Sequence, residues 1–275
     1  LATLPVGEGS LAAFLSSLPD VLAAREFKTV IRAVREAHAA GKGVVLMLGG
    51  HVVKVGLGPL IVALIDRGIV THVAMNGSGA IHDFELAAFG GTSEEVEHGL
   101  ADGTFGMAEE TGRDMNRAIN EAALRGLGLG EGLARALTDR SDLPGRAASI
   151  LLAAERNGIP ITVHAALGAE IIHQHPLADG AAIGQTSLKD FDRLAGSLPS
   201  IHGGGVVLNW GSAVIMPEVF LKALTVARNL GEGKPADFLA ADFDMIRHYR
   251  PAMNVVRRPT QSGGRGVQIT GHYEL

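Results

Sequence analysis

"GVVLMLGGHVVKVGLGPLIVALIDRGIVTHVAM", residues 43–75, is where the fold can be read. Residues 43–48 form a short, β-branched-rich apolar run ended by Gly49 and Gly50, which reads as a buried strand. Residues 57–68 follow as a helix closed by Gly68, and residues 69–75 as a second strand. Strand, glycine turn, helix and strand again make the unit of a parallel sheet covered on both faces. Upstream, Phe27, Val30, Ile31 and Val34 stand at helical spacing, with Gly41 as the stop. Downstream, the alternation resumes with a helix over 146–158 and strands over 159–165, 203–212, 236–244 and 266–274. Helices within 188–198 and 217–230 separate them. Residues 91–145 break the pattern: Thr92 and Glu95 read as a capping box, and two polar-faced helices follow with no strand between them. The expectation is an α/β fold with a doubly wound, mostly parallel, Rossmann-like sheet. It forms one domain over 1–275, with N-terminal helices in 1–42 and a helical excursion over 91–145.

The composition narrows the function classes. The chain has 275 residues, 47% hydrophobic and 19% charged, with mean hydropathy +0.22. A net charge of -5 gives no basic footprint for nucleic acid or an anionic membrane. No apolar run approaches the roughly 20 residues of a membrane span. Cysteine is absent, which removes disulfides, thiolate metal sites and a cysteine nucleophile, and suits a reducing, cytoplasmic setting. The sequence opens on Leu1 with no charged n-region before an apolar h-region, so no signal peptide is expected and a trimmed start is. It stops soon after the last strand, so a closing helix is expected outside it.

Polar punctuation collects where strands end. It falls at 49–51 (GGH), 76–79 (NGSG), 164–165 (HA), 209–212 (NWGS) and 271–274 (GHYE). In open parallel sheets, ligands sit beyond the carboxyl ends of the strands. Glycine ahead of a helix lets backbone amides meet an anion, although neither a GxGxxG nor a GxxxxGK[ST] pattern is present. Asp83 and Glu85 lie in the first turns of a helix, where acids are favourable in any case; Asp83 can equally grip a ribose. His164, Glu170, His173 and His175 lack the spacing of HExxH or of a recognised triad, so no metal is expected. His164 ends a strand and suits a general base. Trp210, the only tryptophan, offers a flat surface for a ring or a cationic amine.

Taken in order, these stretches resemble the deoxyhypusine synthase family from about Gly41 to about Val214, and more loosely to the end. Residues 41–87 resemble its strand, turn, helix, strand and AGGVEED-type turn, with Gly79 and Asp83 on matching positions. His82 replaces an acid there, and Asn76 a threonine. "IPITVHAALGAEIIHQH" (159–175) resembles its DGSLGDMIFFH segment. "HGGGVVLNWGSAVIMPEVFLKAL" (202–224) resembles its GGGVVKHHIAN stretch, matching over Gly203, Gly204, Gly205, Val206 and Val207. The departures fall on chemistry. Asn209 stands for the polyamine-binding histidine, Ala213 for an asparagine, and Ala169 for an aspartate with Glu170 beside it. The imine-forming lysine of the family's WGK segment has no counterpart, since the last lysine is Lys234. Arginine cannot replace it as an amine nucleophile.

The resemblance therefore implies the NAD-binding scaffold without the aminobutyl transfer. Gly49, Gly50, His51, Asn76, Gly77, Ser78, Gly79, His82, Asp83, Gly203, Gly204, Gly205, Ser212, His272 and Glu274 would surround NAD, with Asp83 or Glu274 on ribose hydroxyls. No arginine for a 2′-phosphate stands near Asp83, which favours NAD over NADP. Glu170, His173 and Trp210 would face the substrate, His164 would accept a proton, and Lys54 or Asn209 would polarise the reacting group. His51, His82, His164, Lys54 and Arg257 suit a neutral or anionic substrate better than a polyamine. The expected activity is NAD-dependent oxidation, or group transfer, at an amine- or hydroxyl-bearing carbon of a small molecule. Consumption of NAD and non-catalytic dinucleotide binding stay open. The resemblance also implies a homo-oligomer, a tetramer in the family.

Overall fold

The computed structural model describes residues 10–230 and 234–274. Six parallel strands form one sheet: β1 (Val44–Leu48), β2 (His72–Asn76), β3 (Ile161–His164), β4 (Val206–Trp210), β5 (Leu239–Asp244) and β6 (Arg265–Thr270). Their order is β3-β2-β1-β4-β5-β6. The chain winds outward from β1 to β3, then returns to lay β4 against β1, with Val45 opposite both His72 and Val207. The direction of winding reverses between β1 and β4, which opens a crevice beyond their carboxyl ends.

Among the described residues the α-helices of five residues or more are α1 (Leu11–Ser17), α2 (Leu22–Ala39), α3 (Gly50–Lys54), α4 (Gly58–Asp66), α5 (Gly77–Phe89), α6 (Val96–Asp102), α7 (Glu109–Leu124), α8 (Leu129–Thr138), α9 (Ile150–Asn157), α10 (Gly180–Ser197) and α11 (Ile215–Leu230). All five residues of β1 are buried, because both faces of the sheet are covered. Val44, Leu46, Leu48, Val73 and Met75 pack towards α2, α5, α8 and α9. Val45, Met47, Ala74, Val207 and Ala240 pack towards α10, α11 and a π-helical turn at Ala252–Arg257. This alternation along a strand is the period of two that a sheet imposes. None of the described helices is long and apolar enough to cross a membrane.

Two expectations change. The capping box is not formed: α6 starts at Val96 with Glu95 as its N-cap, and the Thr92 hydroxyl turns inward to Glu85. Gly203, Gly204 and Gly205 precede β4, so they lie at the amino edge of the sheet. Their amides bond the carbonyls of Ala236, Asp237 and Ile201. A strand advances about 3.3 Å per residue, which puts them roughly 16 Å from the carboxyl edge. They cannot share a site with the turns at 49–51 and 76–83. His202 lies at this amino edge too, accepting from the Ala236 amide.

Candidate functional site

Two cavities flank α3 at the carboxyl edge. The first, of about 620 Å³, is apolar and aromatic. Trp210, Phe243 and Ile269 rise into it from β4, β5 and β6, Tyr273 and His272 from the turn after β6, and Phe14 and Phe27 from α1 and α2. Trp210 and Phe243 meet edge to face at 6.0 Å, a favourable geometry for two rings. His51 packs against Tyr273 at 5.6 Å. The indole N–H of Trp210 is enclosed and has no partner among the described residues.

The second cavity, of about 250 Å³, is the more polar of the two, although Ile81, Val96, Phe105 and Ile171 also line it. Lys54 enters from α3, Ser78, His82 and Glu85 from α5, Glu94 from the loop before α6, and Glu170 from the loop after β3. α3 thus serves both sides, with Val52 in the aromatic wall and Lys54 in the polar one. The glycines keep the turns together. A Cβ on Gly49 would stand 2.0 Å from the Gly211 carbonyl oxygen, and one on Gly50 2.1 Å from Ser78 Oγ. These glycines permit turn-to-turn contact, with the Gly49 amide donating to the Trp210 carbonyl.

A hydrogen-bond chain orients His82. Thr92 donates its hydroxyl proton to Glu85, a carboxylate that is 8% exposed and also accepts from Thr111 at 2.9 Å. The proton between Thr92 Oγ1 and His82 Nδ1, 2.7 Å apart, must therefore come from the imidazole. That leaves Nε2 of His82 as the lone-pair nitrogen, without a partner among the described residues and not fully enclosed. Burial is the main effect lowering its pKa, and the Glu85 charge opposes it. A neutral imidazole held by a hydroxyl and a carboxylate is a prepared proton acceptor.

Glu170 closes the cavity from above. Its carboxylate accepts from the Ala166 amide at 2.8 Å and faces the Gly77 amide at the start of α5. A Cβ on Gly77 would fall inside that carboxylate, at 2.1 Å. Burial pushes the Glu170 carboxyl up to about 7, against the pull of these amides. His173 lies 3.3 Å from it, but its Nε2 makes no directed hydrogen bond and burial lowers its pKa. The contact is therefore not a full ion pair. A carboxyl whose folded pKa is raised contributes stability below its ordinary value of 4.5, and that contribution is lost as pH rises through about 7. Glu170→Gln, which cannot ionise, is expected to exceed the parent in stability at pH 8, on the order of 1–3 kcal/mol. The gap should close towards pH 5; urea midpoints at both pH values would measure it.

The remaining expected residues divide sharply. Asn76 caps α5 by accepting from the Gly79 amide. Asp83 leaves the crevice altogether: it is 1% exposed and accepts from Ser149 Oγ, Ile150 N and Leu151 N at 2.7–2.9 Å, holding the start of α9. Burial pushes its carboxyl up to about 6 while these donors pull down. Asn209 is wholly buried, donating to Asp242 and to the Ser212 carbonyl, and is closed off from a substrate. Ser212 is buried and accepts from the Met216 amide. His272 and Glu274 are exposed, 3.6 Å apart, at the rim of the aromatic cavity. His175 pairs with Glu109. His164 lines neither cavity, because it points to the opposite face, towards α10 and α11. Glu85, Thr92 and Thr111 were missed as site residues. Thr92 read as a cap, and only the fold brings it back onto α5.

No protein-family model matches this sequence, and no curated protein matches it. Solved structures do. A conserved LOR/SDH protein from Methanococcus maripaludis S2 is 15% identical, with TM-score 0.50 over 98% of this chain and 68% of its own. AgrE, in its ternary complex with ornithine and NAD+, is 16% identical, with TM-score 0.52 over 92% of this chain and 32% of its own. A protein described as a deoxyhypusine synthase from Entamoeba histolytica is 13% identical, with TM-score 0.53 over 97% of this chain and 90% of its own. The fold is the one these proteins share. The deoxyhypusine synthase resemblance of the sequence thus holds for the architecture, and the chain spans about a third of AgrE.

Proposed function

We propose that this chain is a NAD-dependent enzyme acting at an amine- or hydroxyl-bearing carbon of a small polar substrate held in the polar cavity. The observation that carries the reading is the His82–Thr92–Glu85 chain, which leaves Nε2 of His82 free beside Lys54 at the carboxyl edge of a doubly wound sheet. Of the fold's relatives, AgrE binds ornithine and NAD+ together.

The aromatic cavity fits the cofactor's adenine ring better than its phosphates, which leaves the nicotinamide end to reach the substrate on the other side of α3. Trp210, Phe243 and Tyr273 offer flat apolar surface for it. The aromatic cavity carries no Lys or Arg among the described residues that line it. Glu274 at its rim is the carboxylate available to ribose hydroxyls, Asp83 being committed elsewhere. When bound, NAD supplies the hydride acceptor. The chain's own part is to take the substrate's hydroxyl or ammonium proton on His82 Nε2, with Lys54 beside the reacting group and Glu85 stabilising the imidazolium through Thr92.

Calorimetric titration with NAD tests the cofactor, and Trp210→Ala should weaken binding at least about tenfold through lost stacking and packing. Turnover, read as reduced nicotinamide absorbance over a panel of amino and hydroxy acids, tests the chemistry. His82→Gln should then cost about 10²–10⁴-fold in rate with NAD affinity unchanged. Release of free nicotinamide instead would mean that NAD is consumed. Binding without either signal would leave a dinucleotide-binding protein, and no binding at millimolar NAD would end the NAD reading.

A further inference from the structure

On the other face of the sheet, a third cavity of about 310 Å³ lies between the end of β3, α10 and α11. Its wall is mostly apolar, with Leu167, Ile183, Leu188, Phe191 and Val219, and no charged side chain lines it. Two polar side chains break that surface: Ser187, whose hydroxyl already accepts from the Ala165 amide and donates to the Val163 carbonyl, and His164. His164 is 3% exposed; its Nε2 lies 3.1 Å from Thr162 Oγ1, and its Nδ1 has no partner among the described residues and is not fully enclosed.

The proton positions follow from a buried chain. Ser197 donates its hydroxyl to the Arg193 carbonyl at 3.1 Å, so the 2.8 Å contact between Ser197 Oγ and His72 Nδ1 takes its proton from the ring. Nε2 of His72 is then bare and accepts from Thr162 Oγ1 at 3.0 Å. Thr162, its proton spent, accepts from Nε2–H of His164. This polarity is the one that gives every contact in the chain a proton. It leaves Nδ1 of His164 as a lone pair facing the cavity. Both rings stay neutral, since burial holds His164 down at about 4 and His72 at about 3.

We infer that this cavity is a second ligand site, separate from the polar cavity, for an uncharged small molecule with an apolar body and one hydrogen-bond donor. His164 Nδ1 accepts the donor, and the leucines, Ile183 and Phe191 cover the body. An anion finds no cation here and a cation no carboxylate. The volume is at the small end of ligand pockets, which suits a single aromatic or bicyclic ring system.

Indole and N-methylindole, nearly matched in shape but differing in the N–H, are the probes. Indole should bind the intact protein, and N-methylindole about 5- to 50-fold more weakly, since it leaves the buried acceptor unpaired. Gly184→Leu blocks the cavity without strain: a Cβ at Gly184 meets nothing within 4 Å, and leucine is the better helix former. It should abolish indole binding, whereas His82→Gln should leave it intact. NMR of the histidine ring nitrogens should show His164 protonated on Nε2 and His72 on Nδ1. Equal binding of the two probes, indole binding undiminished in Gly184→Leu, or the reverse tautomers would overturn the assignment.

Discussion

Asp83→Ala should destabilise the protein by about 3–5 kcal/mol while leaving the proposed NAD binding of the folded protein unchanged. The carboxylate is the sole acceptor among the described residues for the amides of Ile150 and Leu151, and it receives the Ser149 hydroxyl as well. An enclosed donor stripped of its partner costs about 1–3 kcal/mol, and two amides and a hydroxyl lose theirs together. The helix also loses a negative charge at its positive end. Asp83→Asn keeps one acceptor oxygen and should lose less than half as much. Urea unfolding measures the stability, and calorimetry with NAD below the unfolding transition measures the binding. A stable variant with lost NAD affinity would reverse the assignment and return Asp83 to the ribose role that its sequence position suggested.

Asp190→Ala should cost about 2–5 kcal/mol and loosen the sheet edge. β3 is an outer strand, so its outward amides have no neighbouring strand to bond. Asp190, wholly buried on α10, supplies the missing acceptor: Oδ2 receives the Val163 and Gly130 amides, each at 2.8 Å. One carboxylate oxygen thus ties β3, α8 and α10 together. Its removal orphans two buried amides at about 1–3 kcal/mol each. Hydrogen exchange at Val163 and Gly130 should speed up before the rest of the sheet does, and the urea midpoint should fall. Unchanged protection at both amides would show that another group holds the edge. Because Thr162 and His164 lie on the same strand, indole binding on the α10 face should weaken in this variant too.

Residues 43–75 determined the architecture by themselves, because burial on both faces writes short apolar strands into a chain and glycine writes their ends. Gly41 and Gly68, both with positive φ just past their helices, were legible for that reason. The crowding of polar residues at strand ends was legible too, and residues 49–51 and 76–82 do lie at the carboxyl edge. A side chain's partner was not. Asp83 and Asn76 stand seven residues apart at the start of one helix, yet one holds a helix start 67 residues away and the other caps its own. The resemblance set Gly203, Gly204 and Gly205 around NAD, but strand direction puts them at the amino edge. His164 ends its strand as expected, and only the pleat, which turns alternate side chains to opposite faces, decides which cavity it serves. Periodicity is a local property of the backbone, visible within a dozen residues. Proton positions on His82, His72 and His164 depend on which hydroxyls and carboxylates other elements bring near, at separations of up to 125 residues. Tertiary packing alone made that choice.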